Sequence, residues 1–344
     1  MKRFFAWAPL APPRENLKVP LRSGSWADWA AFLFLGLGLL QVFFGLDEGP
    51  FRLLPLALGM ILSGLPHGAV DHLVALGLAG RPLRLVPLLI VVLLYLLLVI
   101  LVLGLWVVFP FAAALGFLIM TIYHWGKADL AFERFGRVAT PQFRGRIGDG
   151  IHLVARGLIP IGLPFLAFPE QAIEFVSACV QIFSTDSFEI PMQVWRKWIF
   201  IPFAIFLFGD FWIHLRHSRL LFARRILIEN GGLLAFFWCV PPLIAIGWYF
   251  AGWHGFRHIL RLCHYESDDL PVDPVLEKRV RRFVWQAFPF TLAAVLMLAG
   301  LLGGLADQIP SSFEGVALYL VLVSALTFPH LLVVEWMDRR EGGG

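Results

Sequence analysis

Histidines are the residues of this chain that most clearly indicate chemistry, because several of its ten fall inside long apolar segments. Ionisable side chains are costly in a bilayer and usually face a bundle interior or a cavity there, so each is a candidate for function. His254 and His258 are spaced i, i+4, which places both rings on one face of a helix. Imidazole is a suitable ligand for iron, zinc, copper and nickel. An HxxxH pair is weak evidence by itself, but it indicates a possible metal site.

His67 and His124 are predicted at the same depth as this pair. In the span assignment below, the segments that carry all four histidines run in the same direction and end in the inner half of the membrane. Adjacent glycines would let the helices approach closely. We therefore predict His67, His124, His254 and His258 as metal ligands, with interhelical hydrogen bonding as the simpler alternative role for each.

Five more polar residues are candidates for extra ligands or for hydrogen bonds that orient the ligands. A carboxylate can orient a ligating imidazole through its second nitrogen. Asp71 is placed to act on His72, and Asp129 on His124. The full set of these candidates is Asp71, His72, Asp129, His152 and His330.

The elements that position these residues are expected to be transmembrane helices. Of the 344 residues, 59% are hydrophobic and 15% are charged, and the mean hydropathy is +0.76. Soluble chains carry about a quarter charged residues. Several apolar runs reach the roughly 20 residues that a helix needs to cross a bilayer. The predicted fold class is an all-α, polytopic transmembrane helical bundle.

We predict about ten spans within a single transmembrane domain of residues 27–340. Proline breaks or kinks a helix, so the stretch 224–263 is divided at Pro241–Pro242; without that division the count is nine. Residues 170–195 are predicted as an external loop with a short amphipathic helix. The predicted spans are 27–46, 51–79, 83–108, 110–127, 147–168, 197–215, 224–240, 241–263, 283–305 and 312–335.

The distribution of basic residues predicts the orientation of the chain. Arginine and lysine are enriched on the cytoplasmic side of membrane proteins, and their alternation between spans places residues 1–26 and both termini in the cytoplasm. The expected location is the inner (plasma) membrane, with lipid as the surrounding partner. The basic residues are explained by this bias, so we expect no nucleic-acid partner. The oligomeric state stays open.

Five motifs in order resemble the Brp/Blh family of membrane β-carotene 15,15′-dioxygenases. The resemblance extends from about residue 60 to the C-terminus and leaves the first span outside it. The motifs are GLPHGAVDH (64–72), YHWGKADL (123–130), RGLIPIGLPFL (156–166), WHGFRH (253–258) and TFPHLLVVEW (327–336).

The resemblance implies a non-haem Fe(II) cofactor and oxidative cleavage of the central double bond of β-carotene, or a related carotenoid, with O₂ to give retinal. The four iron histidines of the family match His67, His124, His254 and His258. A substrate that dissolves only in lipid implies an apolar, aromatic pocket. Pocket candidates near the ligands are Tyr123, Trp125, Trp253 and Phe256, with helix packing as the alternative for each.

Two other functions remain as alternatives. A di-iron membrane desaturase or hydroxylase also uses paired histidines, but the HxxHH boxes typical of that class do not occur in the sequence. A metal or proton transporter is favoured weakly by intramembrane carboxylates and by the broken helix at Pro241–Pro242. We assign no role to Asp210, His214 or Glu335, and the natural carotenoid stays open.

Overall fold

The fold is helical throughout the part of the chain that a computed structural model describes, which is residues 26–135, 145–184, 192–217, 220–263, 276–304 and 312–340. No strand occurs among these residues. The α-helices are α1 (Trp26–Phe43), α2 (Leu54–Gly59), α3 (Leu65–Ala69), α4 (Asp71–Leu78), α5 (Leu85–Val108), α6 (Pro110–Phe135), α7 (Gly145–Ala167), α8 (Pro169–Gln181), α9 (Met192–His217), α10 (Leu220–Cys239), α11 (Pro242–Tyr249), α12 (Gly255–Cys263), α13 (Leu276–Gly304) and α14 (Ser312–Arg340).

Six helical segments are long and apolar enough to cross a bilayer, so the prediction of an all-α membrane protein is confirmed, while the count of ten spans is not. A seventh apolar helix, Trp29–Phe43, is shorter. Some other predicted spans carry buried charged groups, which lowers their hydropathy. The six segments are Phe51–Leu78, Leu85–Val108, Gly145–Ala167, Arg196–Arg216, Glu277–Gly304 and Glu314–Arg340.

The predicted break at Pro241–Pro242 is confirmed, because α10 ends at Cys239 and α11 begins at Pro242. Proline is favourable at the first turn of a helix, where its missing N–H is not needed. The short helix predicted after residue 170 is also present, as α8. Helix α9 begins at Met192, so the predicted loop 170–195 ends earlier than expected. Residues 185–191 of that loop and most of the N-terminal segment 1–26 lie outside the described residues.

Helix α5 shows how the outer surface of the bundle differs from its interior. Most of its long aliphatic side chains are exposed, as expected for a surface that contacts lipid tails. Trp106 is its one buried residue, and the indole N–H donates to the Ser324 hydroxyl of α14 at 2.7 Å. This hydrogen bond attaches α5 to the helix that carries His330.

Helix α7 is the most deeply buried of the long spans and packs against α6, α9 and α10. Its crossing with α6 depends on two glycines. A Cβ atom on Gly126 would overlap the carbonyl oxygen of Leu153, and one on Gly157 would overlap that of Ile122. Small residues of this kind let membrane helices approach at backbone distance. The crossing therefore fixes the position of α6, and with it His124.

Candidate metal centre

Two π-helical turns lie next to histidines of the cluster in the sequence. Met60–Gly64 joins α2 to α3 just before His67, and Phe250–His254 joins α11 to α12. Such single-turn bulges within helices occur frequently at functional sites. The Ser63 hydroxyl donates to the Phe250 carbonyl oxygen at 2.7 Å and also lies 3.2 Å from that of Gly59. The serine thereby serves carbonyl groups of both segments.

The two π-helical segments cross in close contact. A Cβ atom on Gly59 would overlap the carbonyl oxygen of Gly247, and one on Gly255 would lie 2.6 Å from the Ser63 hydroxyl oxygen. Because no larger residue fits at this crossing, the backbones that carry His67 and His254 are held side by side. Their ring centroids are 5.6 Å apart.

Five histidine rings meet in one buried cluster. The four predicted ligands are present, and His330 of α14 lies among them. If each ring nitrogen lies about 2.1 Å from a shared ion, two ligand rings have centroids roughly 4.5–6.5 Å apart. The measured separations of six ring pairs fall between 4.7 and 5.6 Å: 67–254, 67–258, 67–330, 124–254, 124–330 and 258–330. The spacing of these six pairs is that expected for rings around one metal ion, and one ligand nitrogen from each of His67, His124 and His330 lies within 4.8 Å of the other two.

The hydrogen bonds of these rings leave nitrogen atoms without a partner. His67 donates through Nδ1 to the Ser63 carbonyl oxygen at 2.8 Å, so its Nε2 carries the lone pair. Both ring nitrogens of His254, Nδ1 of His258 and Nε2 of His330 are buried and have no hydrogen-bond partner. Buried polar atoms are nearly always paired, and exceptions need an explanation. A metal ion bound by one lone pair from each ring would satisfy Nδ1 of His258, Nε2 of His330 and one nitrogen of His254, so the donor set fits a metal.

A carboxylate and a phenol orient His330 from outside the cluster. Asp71 accepts from its Nδ1 at 2.9 and 3.0 Å, although the two residues are 259 positions apart in sequence. Tyr95 lies 3.2 Å from Asp71 Oδ2 through its hydroxyl, which also lies 3.1 Å from the Leu326 carbonyl oxygen. This is the arrangement by which carboxylates orient metal-bound imidazoles.

A second group of histidines and carboxylates, centred on His152, differs because its hydrogen bonds are satisfied. His152 is fully buried and contacts Asp210 through Nδ1 and Glu133 through Nε2, both at 2.8 Å. Asp210 also accepts from Asn230 at 3.1 Å, and Nδ1 of His214 lies 3.1 Å from its Oδ1. His152, Asp210 and His214 are close enough to hold an ion. However, both ring nitrogens of His152 are already hydrogen-bonded to carboxylates. This group therefore fits a structural role better than a metal-binding role.

Comparison with known proteins identifies the family. The family model described as beta-carotene 15,15'-dioxygenase matches residues 58–338. The chain belongs to this family. The probable beta-carotene 15,15'-dioxygenase Blh of Halobacterium salinarum is 32% identical over 98% of each chain. The beta-carotene 15,15'-dioxygenase of an uncultured marine bacterium is 23% identical over 81% of this chain and 92% of its own. No solved structure matches significantly.

The match to the Halobacterium salinarum relative covers 98% of the chain, and therefore more than the motifs after residue 60. The N-terminal span, which we had placed outside the resemblance, is mostly included in that alignment. Its helix α1 packs against α10 and α11 and against the π-helical turn that ends at His254. The first span is thus part of the enclosure around the cluster in this member of the dioxygenase family.

Three of the five further polar candidates lie away from the histidine cluster. The ring of His72 packs on Phe290, with centroids 4.3 Å apart. His152 belongs to the second group described above. Asp129, which we expected to orient His124, instead accepts from the Trp253 indole N–H at 3.0 Å and from Arg156 Nε at 2.8 Å. Its place is in a buried network of charges beside the cluster.

That network was not expected from the sequence. Arg156 also donates to Glu229 at 3.0 Å, while Arg257 Nη1 lies 3.3 Å from Asp129. Buried arginines and carboxylates at these positions balance one another, which is what makes them tolerable inside a membrane domain. In the sequence, these arginines and carboxylates are recognisable only as charged residues inside otherwise apolar segments. That pattern does not indicate which residues pair with one another.

The four aromatic pocket candidates have different surroundings. Trp125 lies beside the cluster, with its centroid 5.5 Å from that of His254. Trp253 is fully buried against Arg257, whose guanidinium carbon is 3.8 Å from the ring centroid. Phe256 packs near Phe132 and Leu260. Trp253 and Phe256 therefore have packing partners that explain them without a substrate.

Tyr123, the fourth candidate, is 38% exposed and donates to Glu335 at 3.0 Å. Glu335, which had no assigned role, also pairs with Lys127 and accepts from Arg339 at 3.2 Å. These charged groups lie on α6 and α14, the two helices that also carry His124 and His330. Phe250 was missed by the sequence reasoning, and its centroid lies 5.3 Å from His254 and 5.9 Å from His67. Its position four residues before His254 would have indicated it.

Proposed function

We propose that this chain is a dioxygenase that cleaves the central double bond of β-carotene, or a related carotenoid, with O₂ to give retinal. The observation that supports this most strongly is the buried histidine cluster with unpaired ring nitrogens, in a member of the beta-carotene 15,15'-dioxygenase family. The reaction is the one for which its relatives are named, the 15,15'-cleavage of β-carotene. The substrate class follows from these relatives and from the apolar surroundings of the cluster.

The proposed cofactor is a non-haem Fe(II) ion held by His67, His124, His254 and His258. When bound, iron supplies the chemistry that lets O₂ react with an alkene. Neutral imidazoles suit iron among other metals. Burial in the bundle keeps water away from these rings: His67, His124, His254 and His258 are 2–6% exposed. The roles of these four residues as ligands are part of the proposal.

The residues around the cluster favour an apolar substrate that enters from the membrane. The rings of Trp125 and Phe250 lie beside His254, with centroids 5.5 and 5.3 Å from its own, and aromatic rings suit the binding of a polyene. Helices with exposed aliphatic side chains surround the bundle, so the substrate need not cross water. We place the protein in the inner membrane, with both termini cytoplasmic.

Expression in a β-carotene-producing host tests this function. The active protein should bleach the cells and produce retinal. His254→Ala removes one proposed ligand and should leave the cells coloured, whereas Thr327→Val, on the turn of α14 before His330, should bleach them as the parent does. An iron-loaded protein that leaves carotene intact and yields no retinal would rule out the proposal.

A di-iron enzyme is the second candidate, because the group around His152 offers a second set of ligand types. Metal analysis of the purified protein separates the two functions. One iron per chain supports the mononuclear site, whereas two irons per chain, with one lost in Asp210→Asn, would favour the di-iron enzyme.

A further inference from the structure

His330 is the histidine whose role the sequence left open, and its position in the cluster is central. Its ring centroid is 4.7 Å from that of His67, 5.1 Å from His124 and 5.4 Å from His258. One ligand nitrogen of each of His67, His124 and His330 lies within 4.8 Å of the other two. The ring of His330 therefore contacts the rings of the proposed ligands directly.

The hydrogen bonds of His330 determine which nitrogen is available. Its Nδ1 lies 2.9 Å from a carboxylate oxygen of Asp71, and a carboxylate can only accept, so Nδ1 carries the proton. In the neutral ring Nε2 then carries the lone pair. That atom is buried and has no hydrogen-bond partner. A buried lone pair among the proposed ligand rings can bind the same ion, whereas it cannot donate a hydrogen bond.

Asp71 is itself held in place, which distinguishes this pair from a chance contact. Tyr95 on α5 contacts Asp71 Oδ2 through its hydroxyl at 3.2 Å, and the same hydroxyl lies 3.1 Å from the carbonyl oxygen of Leu326 on α14. Asp71 is 4% exposed. The carboxylate thus connects three helices and sets the ring orientation of His330.

We propose that His330 is a fifth imidazole ligand of the metal, oriented by Asp71 and Tyr95. The inference rests on the proposed metal site and deepens it. Five imidazoles would leave one position of a six-coordinate ion free, where four would leave two. The polyene would then be held by the apolar walls of the site, and only one small molecule could bind the ion directly.

The test counts the ligands and measures the affinity of the full-length protein for iron. X-ray absorption at the iron edge reports the number of imidazole ligands, and competition with a chelator reports the affinity. We expect five imidazoles in the parent and four in His330→Ala. Asp71→Asn should keep five but bind iron 10–100-fold more weakly, the usual effect of losing an orienting carboxylate. Thr327→Val, three residues before His330, should match the parent in both measurements.

The outcomes separate this inference from the proposed function. A parent protein that binds no iron would contradict the proposed function itself. A parent with iron and four imidazoles, or His330→Ala with an unchanged ligand count and affinity, would overturn the role of His330 alone. If His330→Ala does not accumulate, the ligand count of the parent and the affinity of Asp71→Asn decide the matter, and an unchanged affinity for iron counts against the proposal.

Discussion

Substituting Gly126 by alanine tests whether the crossing of α6 and α7 positions the metal site. The new Cβ atom would overlap the carbonyl oxygen of Leu153, and backbone atoms cannot rotate away as a flexible side chain can. Overpacking usually lowers the free energy of unfolding by about 1–3 kcal/mol. Because the obstacle here is backbone, we expect a loss near the upper end of that range. Alanine regains up to about 1 kcal/mol of helix propensity. The expected net loss is therefore about 2 kcal/mol.

Gly116 supplies a matched control on the same helix, because nothing lies within 4 Å of a Cβ atom placed there. Gly116→Ala should be neutral or stabilise the protein by about 0.5–1 kcal/mol. Reversible unfolding of both variants in detergent micelles measures the difference. Because the clash displaces α6 close to His124, Gly126→Ala should also bind iron about tenfold more weakly. A Gly126→Ala protein as stable as Gly116→Ala would refute the proposed role of the crossing.

Three further predictions concern the supports of the site. Ser63→Ala removes the hydroxyl that donates to the Phe250 carbonyl oxygen, and should lower the free energy of unfolding by about 1–3 kcal/mol in the same assay. Unchanged stability would contradict that role of Ser63. Asp210→Leu leaves His152 without one of its carboxylates and should lower the free energy of unfolding by about 3–5 kcal/mol. Metal analysis of this variant should show the same amount of iron per folded chain as in the parent. Removal of iron by a chelator should lower the unfolding midpoint of the parent, and should lower that of His254→Ala by less, because the stability gained from a bound ion falls as its affinity falls.

The sequence predicted the helical membrane fold and most of the histidine cluster because both depend on local signals. Long apolar runs predict helices without reference to any partner. The i, i+4 spacing places His254 and His258 on one helix face, and their rings do lie in one cluster. The double proline predicted the division between α10 and α11 for the same reason, since its effect on the backbone is local.

The roles of single polar residues were less predictable because they depend on distant partners. His152 was predicted as a possible extra ligand or orienting residue, but its place in the sequence does not specify its partners, and it contacts Glu133 and Asp210 instead. The pairing of Asp71 with His330 joins residues 259 positions apart, which no spacing reveals. Trp253 is beside His254 in sequence, yet its ring packs against buried arginines.

The central claim is that a histidine-bound iron in this protein cleaves carotene at its central bond. The most direct measurement is the product formed by purified, iron-loaded protein given β-carotene and O₂ in detergent micelles. The account predicts two molecules of retinal for each β-carotene consumed, and no product from His254→Ala. Unequal fragments, or retinal formation that persists in His254→Ala, would contradict the account.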